Sequence, residues 1–133
     1  MGDIAVVVYS SDAGTRKQVI ENLGPRPHPG LAPLSYCEIA TPAALIARLD
    51  RGGVDLAVLD GEATPAGGLG IARQLRDELD ACPPLVVLMG RPADTWLANW
   101  SRADAAVPWP SDPITFSAVV VGALLARSGV DAR

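Results

Sequence analysis

Few residues in this 133-residue chain are equipped for chemistry, and its carboxylates are the most suggestively placed of them. Asp60 ends the apolar run VDLAVLD, Glu62 follows two residues later, and Asp12 comes after a second apolar run, IAVVVYSS. Carboxylate oxygens can attack an electrophile, hold a hard divalent cation, or simply accept hydrogen bonds from the turn that follows. One aspartate at a strand end is therefore weak evidence alone. The remaining reactive groups are sparse. Cys37 and Cys82 stand far apart with no His or Cys spaced to complete a metal cluster, and they read as two reduced thiols. His28, the single histidine, lies in the proline-rich stretch PRPHPGLAP (residues 25–33) without a carboxylate or thiol partner nearby, and no role is assigned to it.

The elements that must position these carboxylates follow from hydrophobic patterning. Runs at residues 4–8, 54–59 and 85–89 are apolar at nearly every position, as strands buried on both faces of a parallel sheet are. Weaker strands at 36–40 and 105–107 complete five, and every gap between them holds helix-like sequence. Thr41-Pro42 and Asp112-Pro113 each pair a capping side chain with proline at the first helical position. Phe116, Val119, Val120, Ala123 and Leu124 recur at the spacing of a helix laid against a sheet. The alternation predicts an α/β fold, a (βα)5 doubly wound parallel sheet of order 2-1-3-4-5, in a single domain over residues 1–133. In such a sheet chemistry gathers outside the carboxyl ends of the strands at the switch point, between the first and third strands. Asp12 and Asp60 both fall there. The stretch 25–33 is expected to be an extended surface loop.

Two segments carry a resemblance to a known family. Residues 54–76, VDLAVLDGEATPAGGLGIARQLR, resemble the pattern of response-regulator receiver domains: an apolar strand ending in Asp, a proline soon after, Gly, then an amphipathic helix. Residues 101–113, SRADAAVPWPSDP, are similar to the family's stretch around the fifth strand, with Ala103, Asp104, Pro110, Asp112 and Pro113 matching. The resemblance spans almost the whole chain and implies a CheY-like, flavodoxin-like three-layer sandwich, with Asp60 on the phosphoacceptor. It also exposes departures. Where the family keeps an acidic pair after the first strand, this chain has Ser10 and Ser11, with Asp12 one position late. Met89 stands at the Thr or Ser position ending the fourth strand, and a thioether cannot donate a hydrogen bond to a phosphoryl oxygen. Trp109 stands at the Lys position, and no realignment restores it, because Lys17 is the only lysine in the chain. The resemblance therefore implies an atypical receiver, not an enzyme, with slow or absent phosphorylation. Asp12, Asp60 and Glu62 are weak Mg2+ ligand candidates, so the expected cofactor is none or a loosely held Mg2+.

Composition narrows the partners. A net charge of −4 without a basic stripe excludes the footprint that binding to a nucleic-acid backbone requires. The N-terminus has an acid in place of a basic leader region, and the longest uncharged stretch, residues 114–126, is too short to span a bilayer. A cytoplasmic protein without membrane insertion is expected. That last helix carries no charge over 114–126, so its outward positions, Ala118, Val121 and Leu125, are apolar too. Trp96 and Trp100 form an i, i+4 pair on a helix between the fourth and fifth strands. Together with Trp109, Val121 and Leu125 they predict a protein-binding patch over that helix, the fifth strand and the last helix. It would serve a homodimer or a protein partner, a sensor kinase or a regulated target. Two further readings stay open: a conventional phosphorylation switch at Asp60, and a flavin or nucleotide binder using YSSDAGTRK, residues 9–17, as a phosphate loop.

Overall fold

The computed structural model of the chain describes residues 3–61, 68–79, 82–90 and 104–127. Strands β1 (Ile4–Tyr9), β2 (Leu34–Ile39), β3 (Leu56–Asp60), β4 (Leu85–Met89) and β5 (Ala105–Pro108) alternate with helices α1 (Ala13–Leu23), α2 (Pro42–Asp50) and α3 (Gly68–Glu78), and α4 (Pro113–Arg127) closes the chain. All four strand pairings are parallel, and the order is β2-β1-β3-β4-β5, as the patterning predicts.

Alternation along the strands divides the core in two. Val6 and Val8 of β1, Leu56 and Val58 of β3, Val86 and Leu88 of β4 and Val107 of β5 face one side, where Val19 and Leu23 of α1 and Phe116, Val120 and Leu124 of α4 cover them. Val7, Tyr9, Ala57, Leu59, Leu85 and Val87 face the other side, under Leu45 and Leu49 of α2 and Ile71, Ala72 and Leu75 of α3. Burying each such side chain contributes roughly 1.5–3 kcal/mol, which is why the three central strands need no polar face. β2 lies at the sheet edge, and Ser35 and Glu38 on it are exposed.

Side-chain caps fix where the helices begin. Asp12 caps α1 by accepting from the Gly14 amide (3.1 Å), Thr41 caps α2 by accepting from Ala44 (3.3 Å), and Asp112 caps α4 by accepting from Thr115 (2.8 Å). α1 stops at Gly24, whose positive φ of 66° suits glycine and whose carbonyl accepts from the Tyr36 hydroxyl. Burial pushes that phenol up to about 12.

Two expectations require correction. The stretch 25–33 is not extended: Arg26 donates to the Leu31 and Pro29 carbonyls, the Gly30 amide donates to His28 Nδ1, and Leu31 is buried against the α1 side of the core. A guanidinium with several donors can gather carbonyls that a proline-rich loop cannot pair internally. The outward face assigned to the last helix is also displaced. Leu125 is only 8% exposed and belongs to the core, and Val121 packs partly against it, because α4 leans on α1 as well as on the sheet.

Candidate functional site

β1 and β3 run side by side in a register that pairs Tyr9 with Leu59, so the next residues, Ser10 and Asp60, meet at the carboxyl end of the sheet. The Ser10 hydroxyl donates to Asp60 Oδ2 at 2.7 Å, and Ser10 Oγ in turn accepts from the Asp12 amide at 3.0 Å. Ser10 is completely buried, whereas Asp60 is half-buried. Beneath them Tyr9 has its phenol pushed upward, first by burial and then by the negative charge of Asp60. The serine found at an acid position is thus a hydrogen-bond donor to the aspartate beside it.

Gly61 sets the height at which β3 stops. Its amide donates to the Leu88 carbonyl at 2.8 Å, and a Cβ at this position would lie 2.6 Å from that oxygen. Only glycine lets the two main chains approach so closely. On the far side of Asp60, Met89 ends β4 half-buried, and its carbonyl accepts from the Trp109 amide at 2.8 Å. Trp109 stands edge-on to Phe116, with ring centroids 5.1 Å apart and an interplanar angle of 71°. This indole is a half-buried part of the core wall rather than a fully exposed ridge.

Asp12 reaches the same end of the sheet but turns to its own helix. Its oxygens accept from the Gly14 amide and, at 2.9 Å, from the Thr15 hydroxyl. Those bonds, that of Thr15 foremost, hold its carboxyl below the usual carboxylate range. Arg16, one turn into α1, donates from Nη1 to the Ser10 carbonyl at 2.6 Å and from Nε to Glu38 of β2 at 3.1 Å. Mg2+ takes oxygens in near-octahedral array. Among the described residues no three His, Cys, Asp or Glu side chains cluster to hold a metal ion, and Glu62, the third candidate ligand, lies outside them. The α1 capping carboxylate also occupies the place a nucleotide phosphate would need, against the phosphate-loop reading.

Of the residues marked in the sequence, the fold brings together Asp60, Asp12 and Ser10, and sets Met89 and Trp109 on the far side of Asp60. Glu62, Trp96 and Trp100 lie outside the described residues. Val121 and Leu125 border a different feature, a groove of about 650 Å3 between α1 and α4 that Leu23, Pro27, His28 and Ile114 also line. Ile114 is 82% exposed at its rim. Nothing local in the sequence tells that the Arg16 guanidinium reaches the Ser10 carbonyl and clamps the first turn. The bond from Ser10 to Asp60 was detectable in principle, since both residues end apolar runs of adjoining strands.

No family model matches the chain. Uncharacterized response regulatory proteins from two strains of Mycobacterium tuberculosis, CDC 1551 and H37Rv, are each 57% identical to it over 123 residues, covering 92% of this chain and 92% of theirs. Among solved structures, the signal receiver domain of an HD domain-containing protein from Pseudomonas fluorescens Pf-5 matches 97% of the chain with a TM-score of 0.81 at 14% identity, and 92% of that chain is covered. A CheY-like receiver domain protein from Methanospirillum hungatei JF-1 matches 96% of the chain, and 98% of its own, with a TM-score of 0.76 at 13% identity. A BeF3-activated DrrB receiver domain gives a TM-score of 0.71 at 18% identity, covering 92% of this chain and 98% of that one. The structures share the fold, the relatives share the sequence, and the chain belongs to the response-regulator receiver family.

Proposed function

We propose that this receiver signals by protein contact, with phosphorylation of Asp60 slow or absent, and that it is not itself an enzyme. The observation that carries the reading is the Ser10–Asp60 bond: a neutral hydroxyl holds the aspartate at the place where the family keeps acids. Phosphoryl transfer to a carboxylate is driven by positioning and by neutralising crowded negative charge. A single missing electrostatic donor costs roughly 3 kcal/mol of transition-state stabilisation in well-studied enzymes. Here the ammonium position holds Trp109, and the one lysine, Lys17, sits exposed on α1, 3.9 Å from Glu21. The hydroxyl position on β4 holds Met89.

A conventional switch at Asp60 is the second reading, favoured by the half-exposed carboxylate at the open end of the sheet. Intact mass after incubation with acetyl phosphate and Mg2+ separates the two. The contact reading expects little or no adduct; a stoichiometric gain of about 80 Da that disappears in Asp60→Asn would establish the switch instead. The partner under this reading is a sensor kinase, a regulated target or a second copy, bound in the cytoplasm through the side of the domain that carries β5 and Trp109. Sedimentation and partner capture with Trp109→Ala and Trp100→Ala test that surface, and unchanged behaviour of both variants would remove it.

A further inference from the structure

We propose that the Asp60 pocket works without a divalent cation, and that Ser10 is a positioning residue coupling the Asp60 carboxylate to the start of α1. Both halves stand on local chemistry and go beyond the contact reading.

A hard cation needs several oxygens with lone pairs to give. Among the described residues, the oxygens near Asp60 already accept hydrogen bonds that a cation would have to share or displace. Ser10 Oγ uses its proton on Asp60 and accepts the Asp12 amide. Both Asp12 oxygens accept hydrogen bonds from α1, and the Ser10 carbonyl accepts from Arg16. Arg16 also brings a permanent positive charge to the turn a cation would share. The pocket thus replaces a metal bridge with a hydroxyl bridge.

That bridge transmits. Ser10 is 0% exposed, so water does not replace a bond it loses. Its hydroxyl binds Asp60 on one side and the Asp12 amide of the α1 cap on the other, and Arg16 ties the Ser10 carbonyl to Glu38 at the edge strand. A change at Oδ2 that removes it as an acceptor must reorient the Ser10 hydroxyl, and the Asp12 amide feels it.

Two measurements on the whole protein test this. Thermal melts in MgCl2 are compared with choline chloride at matched ionic strength, without any phosphodonor. No magnesium-specific shift is expected for the wild type, whereas Ser10→Asp should gain one. A saturable magnesium-specific rise in the wild type that Asp60→Asn abolishes would overturn the first half. Hydrogen exchange reads the second half: Asp60→Ala should speed exchange of the Asp12 amide about tenfold and add nothing further in a Ser10→Ala background. Additive effects, or none in either background, overturn the coupling. The outcomes are separable from those of the contact reading. Magnesium binding by the wild type defeats this inference alone, and a stoichiometric acyl phosphate formed without magnesium defeats the contact reading alone.

Discussion

The two ends of the sheet use aspartate in opposite ways. At the amino end, Asp55 precedes β3 and Asp104 precedes β5, and each brackets one residue of the neighbouring strand. Asp55 donates its amide to the Ala5 carbonyl and accepts the Ala5 amide on Oδ2, both at 2.8 Å. Asp104 does the same to Leu85, at 2.9 and 2.7 Å. These carboxylates complete main-chain ladders at the sheet margin. At the carboxyl end, Asp60 instead takes a side-chain hydroxyl from Ser10. At the amino end the carboxylates thus accept from main-chain amides of the neighbouring strand, and at the carboxyl end from a side chain.

The contrast can be broken most forcefully at the amino end. Replacing Asp55 or Asp104 by Ala leaves a strand amide without its acceptor, and each change is expected to cost about 1–3 kcal/mol in urea unfolding. Asp104→Asn, which keeps an acceptor oxygen, should cost far less, and Asp60→Ala should cost less than either alanine change at the amino end. Equal losses at both ends would erase the distinction. Gly61→Ala probes how firmly the carboxyl end is framed: a Cβ 2.6 Å from the Leu88 carbonyl should lower stability by about 1–3 kcal/mol, again by denaturant titration. The smallest effect concerns acid. The Asp12 and Asp112 carboxyls are held below their ordinary range, first by the Thr15 and Thr115 hydroxyls. Their contribution is complete above the unfolded carboxylate range and fades as pH falls through the depressed folded values. Asp12→Asn with Asp112→Asn preserves a capping oxygen and removes the titration, so melting temperature should fall less steeply below about pH 4.

Much of this arrangement was legible in the sequence because it depends on short-range rules. β4 falls at residues 85–89 as read from its unbroken apolar run, and Thr41-Pro42 and Asp112-Pro113 start helices where capping chemistry says they must. The strand order follows from alternation of elements, and Asp60 lands at the switch point. What escaped depends on partners distant in sequence. The brackets made by Asp55 and Asp104 span 50 and 19 residues; the sequence puts Asp55 inside the 54–59 run and matches Asp104 to the family's stretch, but gives no sign of which amide either carboxylate accepts. Leu125 was misplaced because an uncharged helix gives no polar face to orient it, and contact with α1 decides the rotation. The compact loop around Leu31 escaped because prolines suggest extension, while the carbonyls that Arg26 gathers have no signature.

Gly61 has a consequence for how such a domain can change over time. The level at which β3 ends is set by a main-chain contact with Leu88, independent of the side chains around Asp60. Occupants of Ser10 and Met89 can therefore be exchanged for acids and hydroxyls without asking a strand to move. The frame at this end of the sheet is a main-chain property, and side chains around Asp60 can vary while it persists.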